Sequence, residues 1–365
     1  MPSKDKMDVE MEPQPPTRQH ILNTAFPQWH STYKKHIPRA VTLKMPKEFV
    51  EYLLEDGITL PDDGYRWNDR EDEGLPEDES SGDEDQDELP DPTLKFQEFH
   101  EQVKQTIADL GGAVTPKLNW SAPKDAQWIS TTNNLKCVTA SDVYLLLKAS
   151  SYVAHDLTEV FNDADANDSQ DTSDVDYHLV LRKWVEMNPS VEFRCFVKDR
   201  QIVGITQRDM NYYEFLEPLR EKFLDEIEAF FQDVLQTSFS ESSFVFDVYV
   251  PRPFNRVWLI DINPWAAKTD TLLFSWSQLM RMQQLEPGFE PELRLVTKEE
   301  GTLGFGAREH SENAVPKDIV DASASGQGIA ELARQWRQIL TMQQQESDGE
   351  DADNEDEDEG SDDEA

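Results

Sequence analysis

Cysteine is almost missing from this 365-residue chain: there are two, Cys137 and Cys195, and they form no CxxC pair. That excludes a disulfide framework and a thiolate metal cluster. Long hydrophobic runs are missing too. No stretch reaches the roughly 18 apolar residues of a membrane helix, and the opening MPSKDKMDVE has no apolar centre to act as a signal peptide, so a reduced, cytoplasmic setting is expected. Bases are scarce, 34 Lys and Arg against 74 Asp and Glu, for a net charge of −40. The imbalance is local. Glu71–Asp91 holds 12 acids, Asp163–Asp176 holds 6 and Glu346–Ala365 holds 13, all without a base, which leaves about −9 for the rest. Such blocks cannot bury enough apolar area to offset chain entropy, and they repel nucleic-acid phosphate. Recognisable catalytic signatures are missing as well: no GxxxxGK[ST], no HExxH, no GxGxxG after a strand, and no cysteine in a nucleophile motif.

What is present divides the chain. Residues 1–20 are polar and proline-rich and are expected to be disordered. Residues 21–66 carry folded character, including a strand AVTLKM and a helix opened by Pro46 and closed near Gly57. An acidic insertion fills 67–92. Residues 93–284 form the core, interrupted by an acidic loop over 162–177. Within it Thr93 is expected to cap a helix ended by Gly111-Gly112, and Thr139–Asp142 matches a capping box for a helix over Ser141–Ala149. Strands follow at His178–Val185, Glu192–Lys198 and Gln201–Gln207, the last two a hairpin turning at Asp199-Arg200. Leu216–Leu235 has helical spacing throughout, and TLLFSWSQLM is helix-like. Residues 285–345 are loop-like until a terminal helix over Ile329–Gln345, and 346–365 is an acidic tail. Hairpins with interspersed helices predict an α+β fold with antiparallel sheets.

The most informative segment is Phe244–Trp265, FVFDVYVPRPFNRVWLIDINPW. Two apolar strands around a proline-containing turn carry Asp247, Asp261 and Asn263 where hydrophobes are expected. Asp261 and Asn263 are two apart and share a face. Folding the hairpin about Pro253–Phe254 places Asp247 nearly opposite Ile260, one position from Asp261. Buried carboxylates need a partner, and three oxygen ligands suit magnesium, which shares its remaining positions with water and phosphate. Without the cation the two carboxylates repel, so replacing Asp261 is expected to cost the metal-free fold little. The competing reading pairs Asp247 with Arg256 or a distant lysine as a structural bridge.

Neighbouring strands supply cations. EFRCFVK alternates, with Phe193, Cys195 and Val197 on one face and Glu192, Arg194 and Phe196 on the other. LVLRKWV carries Arg182 and Lys183 inside an apolar run, and PKLNWSAPKDAQWI holds Lys117 and Lys124 in a loop stiffened by Pro116, Trp120 and Pro123. Cations beside a magnesium site fit phosphate. Glu192 with Arg194 also fits a structural ion pair, and the lysines a solvated loop.

The stretches PKLNWSAPKDAQWI, LVLRKWVEMNPSVEFRCFVKDRQIVGITQRD, FVFDVYV, VWLIDINPW, TDTLLFSW and VPKDIVDAS closely resemble the eukaryotic cell-division-cycle protein 123 family, which has an ATP-grasp fold. The resemblance implies two lobes with ATP between them. Lys117 and Lys124 would reach phosphate, with Trp120 and Ala122 lining the pocket. Arg182-Lys183-Trp184 would be a hinge whose backbone reads adenine. Glu192 would point to ribose or adenine and Arg194 to phosphate, while Asp247, Asp261 and Asn263 hold Mg2+. The family's role implies binding of the gamma subunit of eukaryotic translation initiation factor 2 and promotion of heterotrimer assembly. Pro316, Lys317, Asp318, Ile319 and Val320 would be the docking element. The chain is then an ATP-binding assembly chaperone with little or no turnover, monomeric when free, with no nucleic-acid or membrane partner. The alternative is an ATP-grasp ligase or kinase that activates a carboxylate as an acyl phosphate.

Overall fold

Alternating strands and amphipathic helices build two sheets, each with its own core. A computed structural model describes residues 11–61, 91–168, 175–282 and 291–299. In chain order the elements are α1 (Arg18–Thr24), α2 (Phe26–His30), β1 (Ala40–Lys44), α3 (Lys47–Leu54), α4 (Gln97–Asp109), β2 (Val114–Lys117), α5 (Ala140–Lys148), α6 (Ser151–Thr158), β3 (His178–Lys183), β4 (Glu192–Lys198), β5 (Gln201–Gln207), α7 (Arg220–Phe230), β6 (Phe244–Tyr249), β7 (Trp258–Pro264), α8 (Trp276–Arg281) and β8 (Glu292–Arg294). Among the described residues no helix is long and apolar enough to cross a membrane. The insertion over 67–90, the helix Ile329–Gln345, the acidic tail and the expected docking residues 316–320 lie outside the described residues.

The first sheet is antiparallel, in the order β1-β3-β2. Helices α3 to α6 pack on it through Phe49, Val103, Ile107, Val143, Leu146 and Val153, which meet Leu179 and Leu181 of β3. Two of these helices begin on side-chain caps. Thr139 and Asp142 form the expected capping box of α5, and Ser150 caps α6. The expected Thr93 cap of α4 is not there. Asp91 instead accepts from Thr93 N and Oγ1, at 2.9 and 2.8 Å, and starts a 3-10 turn over Pro92–Lys95 that leads into α4.

The second sheet runs β7-β6-β4-β5-β8, antiparallel except for the β5–β8 pair. That parallel edge was expected to be loop, because three residues are too few to show a period. The β4–β5 hairpin turns at Asp199 and Arg200, whose φ values of 50° and 62° are those of a tight turn with both central residues left-handed. Odd residues of β4 (Phe193, Cys195, Val197) join the core beneath α7, with Phe223 and Ile227. Phe196 joins a smaller cluster on the opposite face with Val203, Val245, Trp265, Phe274 and Leu279. That cluster covers only part of its face, and the remainder carries the charged residues described below.

The expected helix Leu216–Leu235 is three conformations in series: a 3-10 stretch over Glu214–Leu219, α7, and a π turn over Phe231–Leu235. Pro218 lies inside the first, where its missing N–H and fixed φ disfavour continuous α-helical bonding. Of TLLFSWSQLM only the second half is helical, capped by Ser275 with Gln278. The N-terminal stretch expected to be disordered is folded from residue 11. Met11 N donates to Ser277 Oγ at 2.8 Å, and Arg18 N donates to Asp168 Oδ2 at 2.7 Å. That second bond also ties the start of the acidic loop to α1.

Candidate functional site

The geometry of the site begins with a β-bulge. On β7 Leu259 and Asp261 are two apart and in a regular strand would share a face, which would put Asp261 in the core. The register instead shifts between Asp247 and Val248: Val248 pairs with Leu259, Asp247 with Asp261, and Ile260 is the extra residue. Leu259 and Ile262 therefore both reach the core beneath α7. Asp261 is brought to the charged side, directly opposite Asp247 and not one position away as regular pairing predicts.

Like charges opposite each other are unfavourable, and three cations resolve the pair. Arg194, in register with Asp247 across β4–β6, donates through Nε to Oδ1 at 2.8 Å and through Nη2 to Oδ2 at 2.9 Å. Its Nη1 donates to Asp270 O at 2.9 Å. Arg208, just past β5, reaches Asp247 Oδ2 at 3.3 Å and Glu192 Oε2 at 3.9 Å. Burial alone would raise the Asp247 pKa, but the charges of Arg194 and Arg208 and the Arg194 hydrogen bonds hold it well below the usual carboxylate range. The bridge reading of Asp247 thus named the right interaction and the wrong cations.

Asp261 is tied to the other sheet. Lys117, at the end of β2 and 1% exposed, donates to Asp261 Oδ2 at 2.9 Å and also to Trp120 O. Burial lowers the Lys117 pKa, with Asp261 acting in the opposite sense. Asp261 Oδ1 accepts from Ile262 N at 3.1 Å. Arg182, on β3 of the same sheet as Lys117, lies with its guanidinium 4.8 Å from the Phe26 ring centre. Its Nε and Nη2 are buried without a hydrogen-bond partner among the described residues, as is Nδ2 of Asn263. Burial lowers the Arg182 pKa, against the attraction of Asp261. Lys124 opens a 3-10 turn over Lys124–Ile129, and its charge also acts on Asp247.

The remaining expected residues have other surroundings. Lys183 follows Arg182 on β3 and so points from the opposite face. The N–H groups of Lys183 and Trp184 already donate to Arg39 O and Ala113 O, at 2.8 and 2.9 Å. The Trp120 indole donates to Ile21 O at 2.9 Å and packs edge-on against Phe161. Ala122 packs against the first sheet's core. Sequence reasoning missed Arg208, although it lies in the ITQRD run. It also missed Asp156, whose signal was an acid at a helix position, between Val153 and Leu157, where the spacing calls for a hydrophobe.

Among the described residues no group of three or more His, Cys, Asp or Glu has metal-binding geometry. Asp247, Asp261 and Asn263 are a different donor set, two carboxylates and an amide. A carboxylate offers about four acceptor sites; Asp247 uses three and Asp261 two. Room for a hard cation remains on both, so the residues fit magnesium. A cleft of about 200 Å³ lined by Asn188, Val191, Phe215, Tyr249, Arg252 and Phe254 contains none of these residues.

Two sheets bridged by the Lys117–Asp261 ion pair, with further cations and carboxylates gathered beside it, define an α+β protein with an inter-sheet polar site. The D123 family model matches residues 29–323, and the chain belongs to that family. It is 42% identical over 386 residues to a translation initiation factor eIF2 assembly protein of Aspergillus oryzae, covering 92% of each chain. It is 47% identical over 319 residues to a cell division cycle protein 123 of Yarrowia lipolytica, covering 87% of this chain and 83% of that one. The structure of Cdc123 from Schizosaccharomyces pombe, 37% identical, superposes with a TM-score of 0.63 over 80% of this chain and 100% of that one.

Proposed function

We propose that the chain binds Mg-ATP between its two sheets and, in that form, captures the gamma subunit of eukaryotic translation initiation factor 2 and promotes assembly of the heterotrimer. The observation that carries the nucleotide half is the buried, unpaired guanidinium edge of Arg182 beside the Lys117–Asp261 pair. An unsatisfied buried cation is costly, and a phosphate oxygen would satisfy it. The local charge agrees. In a chain with 74 acids and 34 bases, Lys117, Lys124, Arg182, Arg194 and Arg208 gather around Glu192, Asp247 and Asp261. The site is thus locally rich in cations, as a phosphate-binding site requires.

In this reading Lys117, Lys124, Arg182 and Arg194 hold phosphate and Glu192 faces the ribose or adenine. Asp247, Asp261 and Asn263 would hold Mg2+, which would offset phosphate charge. Lys117 and Asp261 exchange each other for phosphate and metal. Because the Lys183 and Trp184 amides are already used, adenine is read by carbonyl groups there or by the backbone of 185–188. The initiation-factor half rests on the names carried by the relatives. Docking through Pro316, Lys317, Asp318, Ile319 and Val320 belongs to the same proposal, and Asp318→Ala with Ile319→Ala should weaken capture while leaving nucleotide binding intact.

The test is titration calorimetry of the purified chain with Mg-ATP, followed by capture of the purified gamma subunit with and without nucleotide. At a hundredfold excess over its dissociation constant, Mg-ATP should add about 2.7 kcal/mol of stability. No heat and no thermal shift at millimolar Mg-ATP would remove the nucleotide half. Capture that is unchanged by nucleotide would separate the two halves.

A further inference from the structure

The segment from Lys117 to Ile129 is held by one helix, α6, through two carboxylates that run in opposite directions. Asp125, in the 3-10 turn after Lys124, accepts from Ser150 Oγ at 2.6 Å, from Ser151 N and Oγ at 2.7 Å each, and from Tyr152 N at 3.3 Å. The loop thereby caps the helix. One turn into α6, Asp156 accepts from Ser121 N and Oγ at 2.8 Å each and from Trp120 N at 3.3 Å, so the helix fixes the loop in return. Asp156 is 2% exposed, at a position where the helix spacing calls for a hydrophobe.

What that carboxylate controls is visible at the next bond. The Trp120 residue is held at both ends, its N–H by Asp156 and its C=O by the Lys117 ammonium. The Lys117 Nζ is placed by two acceptors, Trp120 O and Asp261 Oδ2. If the Trp120 backbone moves, one of the two contacts of a buried ammonium is lost. An asparagine of the same size could keep its oxygen on the two backbone donors, but it would meet Ser121 Oγ with an NH2 group and would withdraw the negative charge that strengthens all three bonds. A purely packing role would be met at less cost by an apolar side chain.

We propose that Asp156 is the positioning residue for Lys117: acting through Ser121 and Trp120, it fixes where the Lys117 ammonium stands to meet a phosphate oxygen, with Asp125 anchoring the other end of the loop. The proposal rests on the reading of this site as a nucleotide site.

The experiment compares wild type, Asp156→Asn, Asp125→Asn and Ser121→Ala. Affinities for Mg-ATP are measured by calorimetry, affinities for adenosine by ligand-observed NMR, and folding by circular dichroism and melting temperature. Wild type should bind both, with Mg-ATP the tighter. Asp156→Asn should weaken Mg-ATP about tenfold or more and leave adenosine unchanged, so that the preference for the phosphorylated ligand shrinks. Ser121→Ala, which removes one of three bonds to Asp156, should do the same by roughly threefold with near-native melting, and it decides the matter if Asp156→Asn does not fold. Asp125→Asn should fall between the two. Equal losses for both ligands, or no loss for either, would overturn the positioning role while leaving the nucleotide reading intact. Wild type that binds no adenine nucleotide would overturn both.

Discussion

At the scale of single residues, Lys117, Arg194, Asp247 and Asp261 are each held by a partner far along the chain. Two opposed aspartates suggest repulsion relieved by mutation, but Lys117 reverses that expectation. Replacing Asp261 with Ala removes the only carboxylate among the described residues that contacts a lysine 1% exposed, and leaves its ammonium with Trp120 O. The ligand-free protein should lose about 2–3 kcal/mol, measured by urea denaturation. Lys117→Met combined with Asp261→Leu should recover most of that loss, since a buried pair replaced by apolar side chains of similar size is often neutral. The double variant should not recover Mg-ATP binding. A single Asp261→Ala variant as stable as wild type would mean that Lys117 is held by something other than Asp261.

At the scale of elements, the sequence revealed what depends on local pattern and hid what depends on register. Period-2 strands, the Thr139–Asp142 capping box and the two-residue turn at Asp199-Arg200 all rest on neighbours along the chain, and all are found. The Ile260 bulge is not legible, because nothing within β7 says which residue of β6 it opposes. It nevertheless decides whether Asp261 faces the core or the site. The candidate site was legible as a set of misplaced polar residues, but its pairings were not. Lys117 and Asp261 are 144 positions apart, and Arg208 stands out only once Asp247 is seen beside it. Gly204 is another such case, unremarkable in sequence. A Cβ there would lie 2.8 Å from the Phe274 ring and 3.3 Å from Leu279 Cδ2. Phe274 cannot easily give way, since it packs edge-on against Phe196 and carries Arg294 above its ring at 3.9 Å. Gly204→Ala should therefore destabilise by about 1–3 kcal/mol, a lower melting temperature being the readout. A neutral result would mean that the segment covering this face of the sheet is free to shift.

At the scale of the whole molecule, three histidines make stability depend on pH just below neutral. Burial lowers the pKa of His20, where Glu241 acts in the opposite sense. Burial also lowers His30, helped by Lys34 and Arg182, and His36, helped by Arg256 and Lys35. His20 is an acceptor at the junction of α1 and the second sheet, taking the Trp265 N–H at 3.4 Å, and His30 stacks on Phe26 beside Arg182. For a base whose folded pKa lies below its unfolded value of 6.5, the unfolded chain takes up protons first as the pH falls. Stability is therefore complete above about pH 6.5 and declines below it until the folded-state values are reached. The melting temperature should hold level from pH 8 to 7 and fall by several degrees between pH 6.5 and 5. Substituting His20 and His30 with Gln should flatten that fall, with the larger effect at His30, where protonation would add a third positive charge beside Arg182 and Lys34. A melting temperature that stays level down to pH 5 in wild type would show that these imidazoles reach protons without disturbing the fold.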